Sequence, residues 1–103
     1  MTVQDFMCVS GVPMHLSGYE LLKAALEISI EEPMKPIMAI HEEIAEKYGS
    51  KTYKVERNIR SAIEKGYPNL DAGIKEKLFK NKEKVATGEY VKAISYAIRN
   101  DLI

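Results

Sequence analysis

The chain lacks the marks of a membrane, secreted or disulfide-stabilised protein. Its 103 residues include a single cysteine, Cys8, which cannot form a disulfide within the chain. No apolar run approaches the roughly 20 residues that a helix needs to span a bilayer. Residues 1–11 also lack the basic start and apolar stretch of a secretory signal. Since the length suits a single core, these absences predict a one-domain protein of a reducing cytoplasm.

Catalytic and metal-binding patterns are absent as well. The sequence contains no Gly-rich phosphate loop and no nucleophile with an evident base. Two separated histidines, His15 and His41, do not make a metal site with one cysteine. We therefore expect no enzyme activity, no metal and no cofactor. The histidines are interpreted as capping or packing residues, and Cys8 as a small apolar side chain.

Net charge is absent too, because 15 Lys and Arg residues balance 15 Asp and Glu residues. The two signs are nevertheless separated along the chain. Residues 20–46 contain seven Glu and two Lys, a balance of −5, and we interpret Glu42, Glu43 and Glu46 there as a solvated helix face. Residues 47–65 contain six Lys or Arg and two Glu, a balance of +4. Such a local basic face can bind phosphates although the whole chain is neutral.

Apolar residues recur at helical spacing through most of the chain, and no strand pattern competes. We predict an all-α fold: a single small domain of about five or six helices over residues 11–103, preceded by an extended lead-in at residues 1–10. A break near His41 is left open in the helix that follows Pro36. Helix-capping side chains are expected at Ser17, at Ser50 or Thr52, and at Thr87.

Residues 42–64 have the form of a helix-turn-helix. A first helix ends at Tyr48, and Gly49 suits the left-handed position that terminates a helix. A second helix is predicted at residues 53–65. Successive helical residues are about 100° apart, and this spacing places one apolar stripe on that helix, formed by Val55, Ile59, Ala62 and Ile63.

The opposite side of the second helix carries polar groups that can read DNA. Arg and Lys donate to guanine O6 and N7, and a carboxylate accepts from cytosine N4, so Lys54, Glu56 and Arg57 are the predicted base contacts. Pairing of Glu56 with Arg60 at i+4 is the alternative for that carboxylate. The predicted contacts to the DNA backbone or a neighbouring part of the groove are Lys47, Lys51, Thr52, Tyr53, Arg60 and Ser61.

Two groups of residues carry a family resemblance. The first group is Gly11-Val12-Pro13, His15, Gly18-Tyr19 and Leu22, and the second is Ile44-Ala45, Lys47-Tyr48, Val55-Glu56-Arg57, Ile59-Arg60 and Ala62-Ile63-Glu64. With these residues the chain resembles the DNA-binding effector domains of the stage 0 sporulation protein A family, the master response regulators of endospore-forming bacteria. The resemblance extends from about residue 11 to residue 100.

The resemblance implies an all-helical domain that binds a short box of the TGTCGAA type, as tandem copies or a homodimer, and contacts RNA polymerase. By position, Lys54, Glu56 and Arg57 fall at the major-groove contacts of the family, and Arg60 with Ser61 at neighbouring contacts. The family usually has Arg and His where this chain has Lys54 and Ser61, so we expect the preferred box to differ.

The receiver domain, which in the family carries a phosphoacceptor Asp, does not fit into residues 1–10. A fragment and a naturally standalone domain are both compatible with that length. The sequence therefore predicts a cytoplasmic, sequence-specific transcription regulator that binds double-stranded DNA. The alternative is a protein-interaction module that kept the fold and modulates a full-length regulator without strong DNA binding.

Overall fold

Six α-helices and one short 3-10 helix make up the fold in the computed structural model, which describes residues 1–103 and contains no strand. The prediction of an all-α fold with five or six helices is therefore confirmed. No helix combines the length and the apolar character that crossing a bilayer requires. The helices are α1 (Val3–Val9), α2 (Ser17–Glu31), α3 (Ile37–Tyr48), α4 (Thr52–Gly66), α5 (Ala72–Phe79) and α6 (Thr87–Arg99), with the 3-10 helix at Tyr67–Asn69.

The extended conformation predicted for the lead-in is wrong, because α1 forms there. Thr2 and Asp5 make a reciprocal capping box, in which each side chain accepts from the backbone N–H of the other. Phe6 and Met7 of α1 are fully buried in the same core as the later helices. Seven residues give too few turns for a periodic signal, so tertiary packing decides this helix.

Helices α2, α4 and α6 begin without the side-chain caps that the sequence predicts. The predicted caps Ser17, Thr52 and Thr87 are each the first helical residue. The cap positions before them belong to Leu16, Lys51 and Ala86, none of which makes a side-chain capping hydrogen bond. Burial of the apolar faces therefore fixes where these helices start, and it outweighs local capping.

Outside the helix-turn-helix, the prediction for His15 also fails. Cys8, interpreted as a small apolar side chain, is exposed on α1. His15 is exposed and makes no hydrogen bond, so it neither caps nor packs. Both side chains lie on surfaces whose orientation depends on α1 and its connection to α2, which the sequence pattern did not define.

Helix α2 joins the two halves of the domain, because it packs against both α4 and α6. Its contact with α6 includes a buried hydrogen bond of 2.8 Å between the hydroxyls of Ser29 and Ser95. The guanidinium of Arg99 donates to the carbonyl oxygen of Ser29 at 3.4 Å. These bonds satisfy polar groups that burial would otherwise leave without partners.

Aromatic rings tie α1 and the C-terminal half of the chain together. Phe79 of α5 stacks on Tyr90 of α6 with ring centres 5.8 Å apart, and Phe6 of α1 meets Tyr90 edge-on at 6.1 Å. Tyr67 of the 3-10 helix meets Phe79 edge-on at 5.7 Å, and its hydroxyl donates to the carbonyl oxygen of Lys82 at 2.7 Å. Because Tyr90 is buried, the pKa of its phenol is raised.

Helix α2 lies close against α4 at Gly18, where a side chain has no room. A Cβ added there would lie 2.1 Å from the carbonyl oxygen of Asn58 and 2.8 Å from the Cβ of Ala62. Backbone atoms of α4 cannot retreat without moving the whole helix. The glycine therefore sets how near the buried side of α4 lies to α2.

We expect Gly18→Ala to lower the free energy of unfolding by about 1 to 3 kcal/mol, because the added methyl overpacks this contact. The matched control is Gly88→Ala in α6, where the nearest atom to the added Cβ is the Cγ2 of Ile37 at 3.4 Å, an ordinary contact. That substitution should be neutral or slightly stabilising. Urea unfolding measures both, and equal stabilities of the two variants would contradict the packing argument.

Candidate nucleic-acid interface

Helices α3 and α4 meet through a tight turn at Gly49, Ser50 and Lys51. Gly49 adopts φ 62° and ψ 36°, the left-handed conformation predicted for it. The Ser50 N–H then donates to the carbonyl oxygen of Ala45 at 2.8 Å and closes the end of α3. Since α3 runs from Ile37 to Tyr48 without interruption, the break left open near His41 does not occur.

The predicted second helix at residues 53–65 is confirmed, and α4 extends it by one residue at each end. All four residues of its predicted apolar stripe are buried: Val55, Ile59, Ala62 and Ile63. The stripe packs on α2 and α3. The opposite side of α4 therefore faces outward, as amphipathic spacing requires.

The outward side of α4 presents cations that have no partner in the chain. Lys54 and Arg57 are exposed and make neither an ion pair nor a side-chain hydrogen bond. Tyr53 beside them is 62% exposed. At the turn, Lys51 is exposed, and Lys47 lies over the ring of Tyr48 with its Nζ 5.8 Å from the ring centre. Of the other predicted contacts, Thr52 and Ser61 are half-buried on α4.

Glu56 and Arg60 form the ion pair that the sequence left open as an alternative. One terminal nitrogen of Arg60, Nη1, donates to both carboxylate oxygens of Glu56, at 2.5 and 2.7 Å. The Glu56 side chain is 31% exposed and that of Arg60 49% exposed. The pair therefore lies along the edge of the outward face, and it removes one net positive charge from that face.

His41 lies buried in α3. It is 2% exposed, and neither imidazole nitrogen has a hydrogen-bond partner. Its predicted role as a packing residue is confirmed. Burial lowers the pKa of His41, and the carboxylate of Glu56 on α4 opposes that shift only in part. The neutral imidazole is thus the form that the fold holds.

A groove of about 570 Å³, which no sequence pattern predicted, opens beside the C-terminal half of α4. It lies between α4, the 3-10 helix and the start of α6, with apolar walls that include Tyr67. Its charged lining residues balance in number, since Arg60 and Lys84 are matched by Glu64 and Glu83. The groove therefore carries no net charge, in contrast to the turn and the N-terminal half of α4, where Lys51, Lys54 and Arg57 have no ion-pair partner.

This geometry agrees with the comparison to known families. The family model described as sporulation initiation factor Spo0A C terminal matches residues 3–98. The chain belongs to this Spo0A C-terminal family. The match begins at the first residue of α1, so the Spo0A family pattern includes the helix that the sequence resemblance did not reach. No curated protein matches the chain.

Membership in this family relates the outward face of α4 to DNA binding. The Spo0A C-terminal family is the DNA-binding effector domain of a sporulation response regulator, and this chain shares that type of domain. A neutral protein that presents exposed cations without ion-pair partners along the outward side of one helix is consistent with binding a polyanion.

The buried imidazole of His41 makes the stability of the fold depend on pH. The unfolded chain takes up this proton near pH 6.5, whereas the folded chain does so only at lower pH. Stability should therefore be complete above about pH 6.5 and fall as the pH drops below it, by at most about 1.4 kcal/mol per pH unit for one proton.

Denaturant unfolding between pH 7 and pH 5 measures this slope. His41→Leu removes the titrating group while keeping the site filled, and we expect it to flatten the slope. The matched control is the exposed His15, whose substitution by Ala should leave the slope of the original protein. If His41→Leu and the original chain lost stability in parallel, other groups would be responsible.

Proposed function

We propose that the chain is a sequence-specific transcription regulator that inserts α4 into the major groove of double-stranded DNA. The observation that carries the proposal is the outward side of α4, where Lys54 and Arg57 are exposed and unpaired in a domain of a DNA-binding family. The major groove admits an α-helix and displays a distinct donor and acceptor pattern for each base pair. The buried stripe leaves this side free to enter it.

Base reading is assigned to Lys54, Glu56 and Arg57. The guanidinium of Arg57 can donate two parallel hydrogen bonds to guanine O6 and N7, whereas the ammonium of Lys54 acts as a point charge. The carboxylate of Glu56 can accept from cytosine N4. The box resembles TGTCGAA, with a shift where Lys54 and Ser61 replace the usual family residues.

The proposed contacts to the DNA backbone lie around these base-contacting residues. Lys47 and Lys51 lie at the turn, exposed and without a carboxylate partner, which suits them to phosphates. Thr52, Tyr53 and Ser61 add hydroxyls along the same helix, and Arg60 extends the row at its edge. These contacts would position α4 without reading sequence.

The wider setting follows from the family. We propose that the protein works in the cytoplasm, binds its boxes as tandem copies or a homodimer, and contacts RNA polymerase. Family membership supports these statements, and each is separable from DNA binding by this domain.

Selection from a randomised duplex pool at two salt concentrations tests the proposal. Sequencing of the retained DNA should give one preferred box related to TGTCGAA, and affinity should fall steeply with salt because counterions are released. A flat sequence profile would reject sequence-specific binding.

Substitutions at Arg57 and Lys51 should distinguish a base contact from a phosphate contact. Arg57→Ala should cost about 1 to 3 kcal/mol and relax discrimination at one base pair, because a bidentate guanine contact is lost. Lys51→Ala should weaken binding to all sequences and reduce the salt slope by about one. Titration of the preferred and single-mismatch duplexes at several salt concentrations measures both. If Arg57→Ala left specific and nonspecific binding unchanged, Arg57 would not be a base-contacting residue.

A second candidate function is a protein-interaction module without strong DNA binding. The observation that favours it is a separate exposed surface at the start of α3, where Met34 is 92% exposed and Met38 is exposed near the acidic side of that helix. Such a module would bind a full-length regulator of the same family and show no salt-dependent shift of DNA. Direct titration with that regulator, beside the DNA selection, distinguishes the two functions.

A further inference from the structure

The one ion pair on α4 joins two residues that the DNA-binding proposal treats separately. Nη1 of Arg60 bridges both carboxylate oxygens of Glu56 across one helical turn. No other side chain donates to this carboxylate, and Arg60 makes no second ion pair. The two residues thus form a closed unit on the edge of the outward face.

The ion pair restricts the conformation of the Glu56 side chain. A free glutamate on a helix surface samples several rotamers, and ordering such a side chain on binding costs about 0.5 to 1.5 kcal/mol. Here the bridge to Arg60 already holds both oxygens of Glu56. An ionised carboxylate offers roughly four acceptor positions, so the bridge leaves positions free for another donor.

Pairing also weakens Arg60 as a phosphate contact. Its charge is compensated by Glu56 at hydrogen-bond distance, whereas Lys51 and Lys54 have no carboxylate partner. Salt-dependent attraction to DNA scales with the phosphates that a protein neutralises. A compensated guanidinium contributes less to that attraction than a free ammonium does.

We infer that Arg60 is a positioning residue for Glu56: it holds the carboxylate in place to accept a hydrogen bond from a base amino group, cytosine N4 in the first instance. The effect of Arg60 on DNA recognition then passes through Glu56 and appears at one base pair. This inference rests on the proposed function, and it gives Arg60 a role in specificity beyond a backbone contact.

A double-mutant cycle tests it, with Glu56→Ala, Arg60→Ala and the double variant. Each protein is titrated with the box selected from the pool and with duplexes altered at single base pairs. We expect Glu56→Ala to lose about 5- to 100-fold of discrimination at one base pair. Arg60→Ala should lose about 3- to 10-fold at that same base pair, and the double variant no more than Glu56→Ala alone.

Two further variants test whether Arg60 acts through its guanidinium geometry or only through its positive charge. Arg60→Lys keeps the positive charge but not the fixed guanidinium geometry, so it should keep the salt slope and lose part of the discrimination. Arg57→Ala should act at a different base pair and add to Arg60→Ala. All variants should fold, because an exposed i,i+4 pair contributes only about 0.3 to 0.5 kcal/mol.

A different set of results would contradict the positioning role of Arg60. If Arg60→Ala weakened all duplexes equally, reduced the salt slope by about one and added to Glu56→Ala, Arg60 would be a phosphate contact. The positioning role would then be overturned while the proposed function stood. A flat sequence profile for the unaltered chain would overturn both.

Discussion

Burial of the apolar stripe of α4 is the constraint on which the rest of this structure depends. Its stripe lies against α2 and α3, and Gly18 lets the backbones of α2 and α4 approach. Burying one large aliphatic side chain contributes about 1.5 to 3 kcal/mol, several times the value of an exposed ion pair. Packing therefore decides which way α4 faces, and its polar residues follow.

That orientation explains how a neutral chain presents a basic surface. Seven of the 15 acidic residues lie within residues 20–46, where Glu42 and Glu46 of α3 are exposed and Lys35, just before α3, is paired with Glu32 and Glu43. Exposed cations without an ion-pair partner follow at the turn and in the first half of α4, where Lys51, Lys54 and Arg57 lie. Net charge averages over both surfaces, but a ligand meets only one of them.

The sequence could predict α4 because its pattern is long and strictly periodic. It bounded that helix to one residue at each end and identified Gly49 as its preceding turn. It failed at α1, where burial of Phe6 depends on contacts with Tyr90, and at Ser17 and Thr87, which are helical residues and not caps. The burial of Phe6 depends on residues far apart in sequence, which local patterns do not contain.

The sequence predicted which residues form the outward face of α4, but it did not decide which of them form an ion pair. Sequence spacing allowed Glu56 to face either a base or Arg60, since both fit one helical turn, and the side-chain geometry selects the pair in the unbound chain. The groove beside Tyr67 and the buried imidazole of His41 also needed the tertiary structure. Neither has a signature in residue spacing.

The start of α4 breaks the local rules of helix stability, and its proposed function accounts for that. Its first turn holds no acidic residue, its cap position is Lys51 without a capping bond, and Lys54 and Arg57 follow Lys51 at intervals of three. Cations near a helix N-terminus oppose the helix dipole, and like charges one turn apart repel. Natural proteins concentrate such violations at functional sites. Bound DNA phosphates would supply the negative charge that this helix terminus lacks, so the same residues that destabilise the free helix would favour the complex.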